Sequence, residues 1–362
     1  MQILFPSFGK EVLDVLNING IPYSIDGNSI VFPSKGLRLV LVQLPAPEQP
    51  GLNADERHYA GYETFWLYED RWKSSKTATT QRLLSRLGIF RRLHGRLCSV
   101  VSVNNCKDYG ITPEAFPAKV QKFLDAFHTY GYLKGQKDYL LIYKGDIVAA
   151  AQFMHTYDKT GISGRQVSAV HEQTIPASQP NNKQPKLPGN KQPQQPESKQ
   201  PQHLQHLHAY EWTRYASLPD VRIAGGMGKV LNQFLSDVDK HSSPNAENTS
   251  VKPHAHVMIE VMSYSDNEWS NGDAYRKLGF KLTGNLPPVT YRIDPKTCRR
   301  INPRQWEILK KSIPDKEIQS YRIIQNRGSR KWVLLLSDKG LWLGDEGALH
   351  SYKGRSLGDG GL

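Results

Sequence analysis

Residues Arg222 to Lys229 read Arg-Ile-Ala-Gly-Gly-Met-Gly-Lys. Gly225, Gly226 and Gly228 leave this turn without Cβ atoms, so a ligand can come close to the backbone. Val230, Leu231, Phe234, Leu235 and Val238 follow at helical spacing. The N–H groups that open such a helix have no acceptor within it, and the helix dipole favours an anion in front of them. Tyr210 to Ser217, ahead of the turn, reads as an extended segment. The expectation is a phosphate cradle made by Arg222, Gly225, Gly226, Met227, Gly228 and Lys229. The plainer reading is a glycine-rich turn that only redirects the chain.

Two further residues have types suited to proton transfer. Glu211 lies on the extended segment and is the candidate base, although a strand carboxylate of the same type can simply face outward. Tyr275 stands in Ala-Tyr-Arg-Lys-Leu-Gly-Phe (274–280), where a Tyr can simply pack its ring. Between turn and tyrosine, Val257 to Val261 is an apolar run fit for a buried strand, followed by Ser263-Tyr264-Ser265-Asp266.

The order strand, glycine turn, helix, strand, helix, Tyr-x-x-x-Gly-Phe resembles the acyl-CoA-binding core of the GNAT N-acetyltransferase superfamily. The resemblance implies that the glycine turn holds the pyrophosphate of CoA and that Tyr275 protonates the leaving thiolate. Acetyl-CoA is then the cosubstrate, and an amine the acceptor. The family pattern is Arg/Gln-x-x-Gly-x-Gly; with its glycines on Gly226 and Gly228, Ile223 stands where Arg or Gln belongs, and Arg222 is one residue early. Glu268 sits near the place of the family's Asn, with Asn271 later. Trp269 is read as stacking on a base or as buried packing.

The elements that would position these residues are legible by period. Leu97–Val103 reads as a strand, and Pro113–Gly131 as a helix with Thr112 as N-cap and Phe116, Val120, Phe123, Leu124 and Phe127 on one face. Asp138–Lys144 and Ile147–Thr156 read as a hairpin. After Phe280, Pro287–Ile293 reads as a strand and Pro303–Lys311 as a helix. Tyr321–Asn326 and Lys331–Leu336 read as a closing hairpin about Arg327-Gly328-Ser329.

The N-terminal part has its own pattern: a helix from Gly9 to Asn19, strands at Pro22–Ile25, Ser29–Phe32 and Leu37–Leu44 about the turn Asp26-Gly27-Asn28, and a strand at Tyr62–Tyr68. Helix plus meander resembles the PD-(D/E)xK nuclease core, with Asp26 and Gln43 at its acid positions. Gln43 is followed by Leu44 and Pro45 and not by x-Lys, so that site is expected to be degenerate. Arg71 to Arg96 then contains eight basic residues and no acid. It is expected to be a basic helical connector, with Arg82, Arg86, Arg91, Arg92 and Arg96 as candidate nucleic-acid contacts or as a solvated face. Glu69-Asp70-Arg71-Trp72, an Arg/Leu helix and Arg92 to Cys98 together resemble phage and mobile-element proteins that join a nuclease-like region to a GNAT-like region. This resemblance implies DNA or RNA as a partner, with the GNAT-like fold either catalytic or a scaffold.

The 362 residues carry 47 Lys and Arg against 34 Asp and Glu, a net charge of +13 that attracts polyanions. Three cysteines without Cys-x-x-Cys spacing give no disulfide framework, and the histidines lack zinc-finger spacing, so no metal is expected. The N-terminus has no signal-peptide pattern and no apolar run is long enough to span a bilayer, so a cytoplasmic location without a membrane partner is expected.

The expected fold class is therefore α/β (α+β): a GNAT-like mixed, twisted sheet flanked by helices, with a smaller N-terminal α/β region and a disordered insert. The expected boundaries are 1–75 for the N-terminal region, 76–96 for the basic connector and 97–350 for the GNAT-like domain. The Gln/Pro/Lys-rich insert is placed at 173–207, a second polar insert at Lys240–Pro253, and a Gly-rich tail at 351–362.

Overall fold

The computed structural model describes residues 6–44, 58–59, 61–160, 205–242, 256–337, 341–343 and 349–351. The first insert up to residue 204, most of the second, and the tail beyond Ser351 lie outside these residues. The fold is α+β, built on several sheets.

The N-terminal module starts with helix α1 (Gly9–Ile18), whose Val12 and Leu16 are fully buried. Strands β1 (Ser24–Asp26), β2 (Ser29–Phe32), β3 (Leu37–Val42), β4 (His58–Tyr59) and β5 (Tyr62–Tyr68) form a five-stranded sheet in the order β1-β2-β3-β5-β4. The pair β3–β5 is parallel; the others are antiparallel. Helices α2 (Glu69–Ser74) and α3 (Lys76–Arg86) then cover the sheet, burying Trp72, Leu83 and Leu84 against Phe65 and Leu67.

The basic segment is not helical to its end. Gly88 takes φ +84 and stops the helix. Beyond it, Arg91–His94 forms strand β6, paired in parallel with a later strand, so the expected connector is part helix and part strand. The reason is backbone satisfaction: β6 finds its hydrogen-bond partners in a segment more than a hundred residues downstream, a pairing that charge patterning cannot reveal.

The central nine-stranded sheet contains β7 (Ser99–Val101), β8 (Lys137–Tyr143), β9 (Asp146–Thr160) and β10 (Gln205–Ser217). The last of these takes in three residues assigned above to the disordered insert, because Leu207 is buried beside Met258 and Leu335. A short strand β11 (Val221–Ala224) pairs with β6 and leads into α5 (Gly226–Ser242). The earlier α4 (Phe116–Phe127) is shorter than expected at both ends. Thr112 Oγ1 accepts the Ala115 N–H in a turn ahead of it. Asp125 accepts the Tyr132 N–H at 2.9 Å and draws the chain out of the helix after Phe127.

Strand β12 (His256–Asp266), helix α6 (Asp273–Lys277) and strand β13 (Lys281–Leu286) follow. Next come β14 (Thr290–Ile293), β15 (Arg300–Ile301), helices α7 (Pro303–Leu309) and α8 (Asp315–Ile318), β16 (Arg322–Gln325), β17 (Ser329–Ser337), β18 (Leu341–Leu343) and β19 (Leu349–Ser351). The central sheet runs β19-β18-β17-β12-β10-β9-β8-β7, with β13 on the other edge of β17. Strand β10 is parallel to β12; the remaining pairs are antiparallel. The expected hairpin of β16 with β17 does not form. Both edges of β17 are taken by β12 and β13, and β16 pairs instead with β14 in a separate three-stranded sheet.

One core lies between the central sheet and α5, where Phe234 stacks on Phe153 at 3.9 Å between ring centroids. The three-stranded sheet places Ile293 and Ile324 against Trp66 and Tyr68 of the N-terminal module. Trp269 is buried in the N-terminal core beside Phe65, which gives it a packing role. The N-terminal region is therefore packed into the body of the protein. No helix among the described residues is long and apolar enough to cross a membrane.

Candidate functional site

Strands β10 and β12 pair only from Gln205↔His256 to Glu211↔Met262. Beyond that point both strands continue unpaired to each other, and the sheet forks. Two register shifts of β10 against β9, at Ala209/Tyr210 and Trp212/Arg214, add local twist on the side where β10 leaves. The fork opens a cleft of about 560 Å³. Its walls are Glu211–Ser217 of β10, Ser263–Asp266 of β12, Met227 of α5, and Ala274 and Tyr275 of α6. The far side is closed by α3, with Gln81, Arg82 and Ser85, and by His128 to Tyr130.

The two candidate proton-transfer residues thus line one cleft. Glu211 is the last β10 residue paired with β12 and is partly buried. Burial lifts its carboxyl above the usual range, while Arg214 and Lys331 pull it back. Burial also raises the Tyr275 phenol; the Ser263 hydrogen bond opposes this and the Glu211 charge adds to it. Tyr275 therefore holds its proton across the neutral range. Its ring stacks on Trp332 at 6.2 Å and meets Phe280 edge-on at 5.6 Å, which fixes the hydroxyl. Ser263 Oγ lies 2.8 Å from that hydroxyl and 3.0 Å from the Trp212 carbonyl oxygen, bridging the two arms of the fork.

His128 also lines the cleft and was not singled out by sequence. Desolvation, with Arg214 and Arg82 nearby, lowers its pKa to about 3. Its Nδ1 accepts the Tyr130 N–H at 3.2 Å, so the neutral ring carries its proton on Nε2. A nitrogen so weakly basic and already engaged is a poor proton acceptor; the carboxylates lining the cleft are Glu211 and Asp266.

The glycine turn adjoins the cleft through Met227. Gly225 takes φ +74 with open space where a Cβ would be. Gly226 is different: a Cβ there would meet Ile223 Cγ2 at 2.7 Å and the Tyr215 hydroxyl at 2.8 Å. Gly95 has the same role from the other side, since its Cβ would meet the backbone of Ala224, Gly225 and Gly226 at 2.9 Å. The glycines at 95 and 226 are thus explained by close packing of the chain on itself. Gly226→Ala is expected to cost about 1–3 kcal/mol in urea unfolding, through overpacking on Ile223 and Tyr215; a cost near zero would contradict that packing.

The Lys229 N–H bonds to the Gly225 carbonyl at 3.0 Å, so the N–H groups of Gly226, Met227 and Gly228 lie ahead of the helical ladder. The Lys229 ammonium donates to the Cys98 carbonyl. Ile223 is buried in the core, while Arg222 is exposed, its guanidinium 5.3 Å over the Phe90 ring. Arg222 pairs in register with Arg92, and Arg91 and Arg96 are exposed on the same stretch. The β6–β11 pairing sets Arg92 beside Arg222 on the strand that leads into α5, with Arg91 at the start of β6 and Arg96 just past its end. Arg91 approaches Asp220 at 3.9 Å, with both groups exposed.

The other candidate contacts lie elsewhere. Arg86 is paired with Glu63 at 2.6 Å, and Arg82 faces the cleft. In the N-terminal module Asp26 is exposed on edge strand β1, and Gln43 is exposed with its amide against Ser7. Glu268, near the expected place of an Asn, is instead buried against Arg300 at 2.6 Å. His155, Asp158 and His208 form an exposed cluster whose ligand atoms lie within 4.8 Å of one another. Both imidazoles contact one Asp158 oxygen, at 2.8 and 2.6 Å, and none of the three lines the cleft.

No protein-family model matches the chain, and no curated protein matches it at a significant level.

Proposed function

We propose that the cleft is the active site of an acyl-CoA-dependent N-acyltransferase with acetyl-CoA as cosubstrate. The observation that carries this reading is the meeting of Glu211, Tyr275 and the first turn of α5 at the fork of a parallel strand pair. The strand order β7-β8-β9-β10-β12-β17-β13, parallel only between β10 and β12, supports it as the arrangement expected of a GNAT-like sheet.

The cosubstrate supplies an activated acyl group and a thiolate leaving group. Glu211 takes a proton from the acceptor amine, whose nitrogen attacks the thioester carbonyl carbon. As the carbon–sulfur bond breaks, Tyr275 gives its proton to the departing sulfur. The products are an amide and a free thiol; Glu211 and Tyr275 then return to their starting states by exchange with solvent. The N–H groups opening α5, with Arg222 and Arg92, face the phosphates.

Acetyl-CoA at a hundredfold over its Kd is expected to stabilise the protein by about 2.7 kcal/mol, read as a rise in melting temperature. Arg92→Glu with Arg222→Glu should abolish that rise. No rise at millimolar acetyl-CoA would sink the reading.

A second reading is favoured by the exposed arginines Arg91, Arg92, Arg96 and Arg222 on and beside the β6–β11 pair. Here the protein is a non-catalytic nucleic-acid-associated component of a mobile element, and its fold is a scaffold. Each arginine on a phosphate contributes roughly 0.9 to the slope of log K against log salt on duplex DNA. Arg91→Glu with Arg92→Glu should then flatten the slope by roughly two. DNA binding with such a slope, together with no response to acetyl-CoA, is the outcome that selects this reading over the first.

A further inference from the structure

The wall of the cleft opposite Glu211 belongs to the N-terminal module. Arg82 and Arg214 line the cleft, Arg71 and Arg86 lie on the adjoining helices α2 and α3, and all but Arg82 are occupied. Arg86 is ion-paired with Glu63 at 2.6 Å. Arg71 donates to the Tyr130 hydroxyl at 2.8 Å. Arg214 donates from Nε to the Gly131 carbonyl at 2.9 Å and from Nη1 to the Thr213 carbonyl at 2.8 Å. Arg82 makes no hydrogen bond or ion pair with any described residue; its guanidinium carbon lies 4.6 Å from the Trp269 ring centroid, and the side chain lines the cleft.

The aromatic contact leaves the N–H donors of Arg82 unused, and a guanidinium with free donors takes a carboxylate or phosphate in a two-pronged contact. The side chain is exposed to solvent at the cleft, where partial desolvation weakens its hold on its proton and Asp266 strengthens it. Asp266 itself makes no ion pair with Arg82; its Oδ1 accepts the Glu268 N–H at 2.8 Å. The cleft therefore carries two carboxylates, Glu211 and Asp266, and two arginines, of which Arg214 is hydrogen-bonded to backbone carbonyls and Arg82 has its donors free.

We infer that the acceptor is a small amine carrying its own anionic group, a carboxylate or a phosphate, with the amine at Glu211 and the anion on Arg82. This rests on the acyltransferase reading for the reaction, but the anion site is a property of Arg82 alone. It makes the N-terminal module part of the substrate site. A lysine side chain within a polypeptide offers no anion at a fixed distance from its amine and is disfavoured as acceptor.

The experiment compares paired acceptors: tyrosine with tyramine, histidine with histamine, and phosphoethanolamine with ethanolamine. Wild-type protein, Arg82→Gln and Arg82→Lys are each assayed for thiol release from acetyl-CoA. In the wild type, kcat/KM should favour the anionic member of at least one pair roughly 10- to 100-fold, the worth of a hydrogen-bonded charge contact. Arg82→Gln should bring that ratio to within about threefold, chiefly by raising KM, and Arg82→Lys should restore part of it. In parallel, the melting temperature is followed with the same compounds and no acyl donor. If acetyl-CoA proves inert, the acyltransferase reading fails. The anion site still stands if an anionic compound raises the melting temperature of wild type and not of Arg82→Gln. Equal response to both members of every pair, a preference that survives in Arg82→Gln, or turnover confined to a lysine-bearing peptide would each overturn the inference.

Discussion

Replacing Arg300 by alanine is expected to destabilise the protein by about 3–5 kcal/mol and to loosen the N-terminal module from the rest of the chain. Arg300 Nε lies 2.7 Å from Asp70 Oδ2 and Nη1 lies 2.6 Å from Glu268 Oε1, with the arginine side chain 3 % exposed and both acids 1 % exposed. A second contact, Nη2 to Asp70 Oδ1 at 3.3 Å, makes the Asp70 contact two-pronged. The guanidinium also lies over Tyr68 at 4.9 Å and Tyr291 at 5.7 Å. Removing the cation strands two carboxylates in a dry site. Glu268 has no reserve there, since its Oε2 is already buried without a hydrogen-bond partner. Burial raises the Glu268 carboxyl, and the loss of Arg300 removes the main group pulling it back. Urea unfolding measures the cost. A triple variant, Arg300→Met with Asp70→Asn and Glu268→Gln, should recover much of it, because neutral groups tolerate the site far better than unpaired charges. A cost below about 1 kcal/mol for Arg300→Ala would refute the network's role.

The network also marks where sequence reading stops. Asp70 and Arg300 are separated by 230 positions, and no periodicity connects them. The elements themselves were legible: Val230, Leu231, Phe234 and Val238 are buried on α5 as their spacing implies. So were the strand Tyr62–Tyr68 and the turn at Gly27 with φ +58. What failed were features decided by distant partners. Arg91–His94 is a strand because Val221–Ala224 completes its hydrogen bonding, and Arg322–Gln325 turns to β14 because β17 has no free edge. The glycine signal was real but ambiguous in cause. Gly226 is required by Ile223 and Tyr215 pressing on the turn, a constraint that leaves the same letter in the sequence as a ligand would. Glu211 and Tyr275 could be chosen one at a time from strand and helix patterns. That they share a cleft whose opposite wall is α3 depends on how the N-terminal module packs, which local patterns do not encode.

Glu211→Gln is expected to lower kcat/KM for acetyl transfer by roughly 10²- to 10⁴-fold while leaving the melting temperature near that of the wild type. The amide keeps the shape of the carboxyl group and cannot take the proton. The pH profile sharpens the test. A base works deprotonated, so kcat/KM rises with pH through the Glu211 pKa, which burial places above the usual carboxylate range. The acceptor amine adds a limb of its own, and the two separate because the amine limb moves with the acceptor while the Glu211 limb does not. In Glu211→Gln the fixed limb should vanish. Tyr275→Phe tests the other half of the reaction. It removes the proton offered to the leaving sulfur and keeps the ring on Trp332, so kcat should fall more than KM changes. An acyl donor whose thiol is more acidic needs less help to leave and should narrow that defect. If the defect is the same for both donors, Tyr275 is a packing residue and the acid must be sought elsewhere in the cleft. Ser263 is then the next candidate, since its hydroxyl bridges the fork between the Trp212 carbonyl and the position Tyr275 occupies.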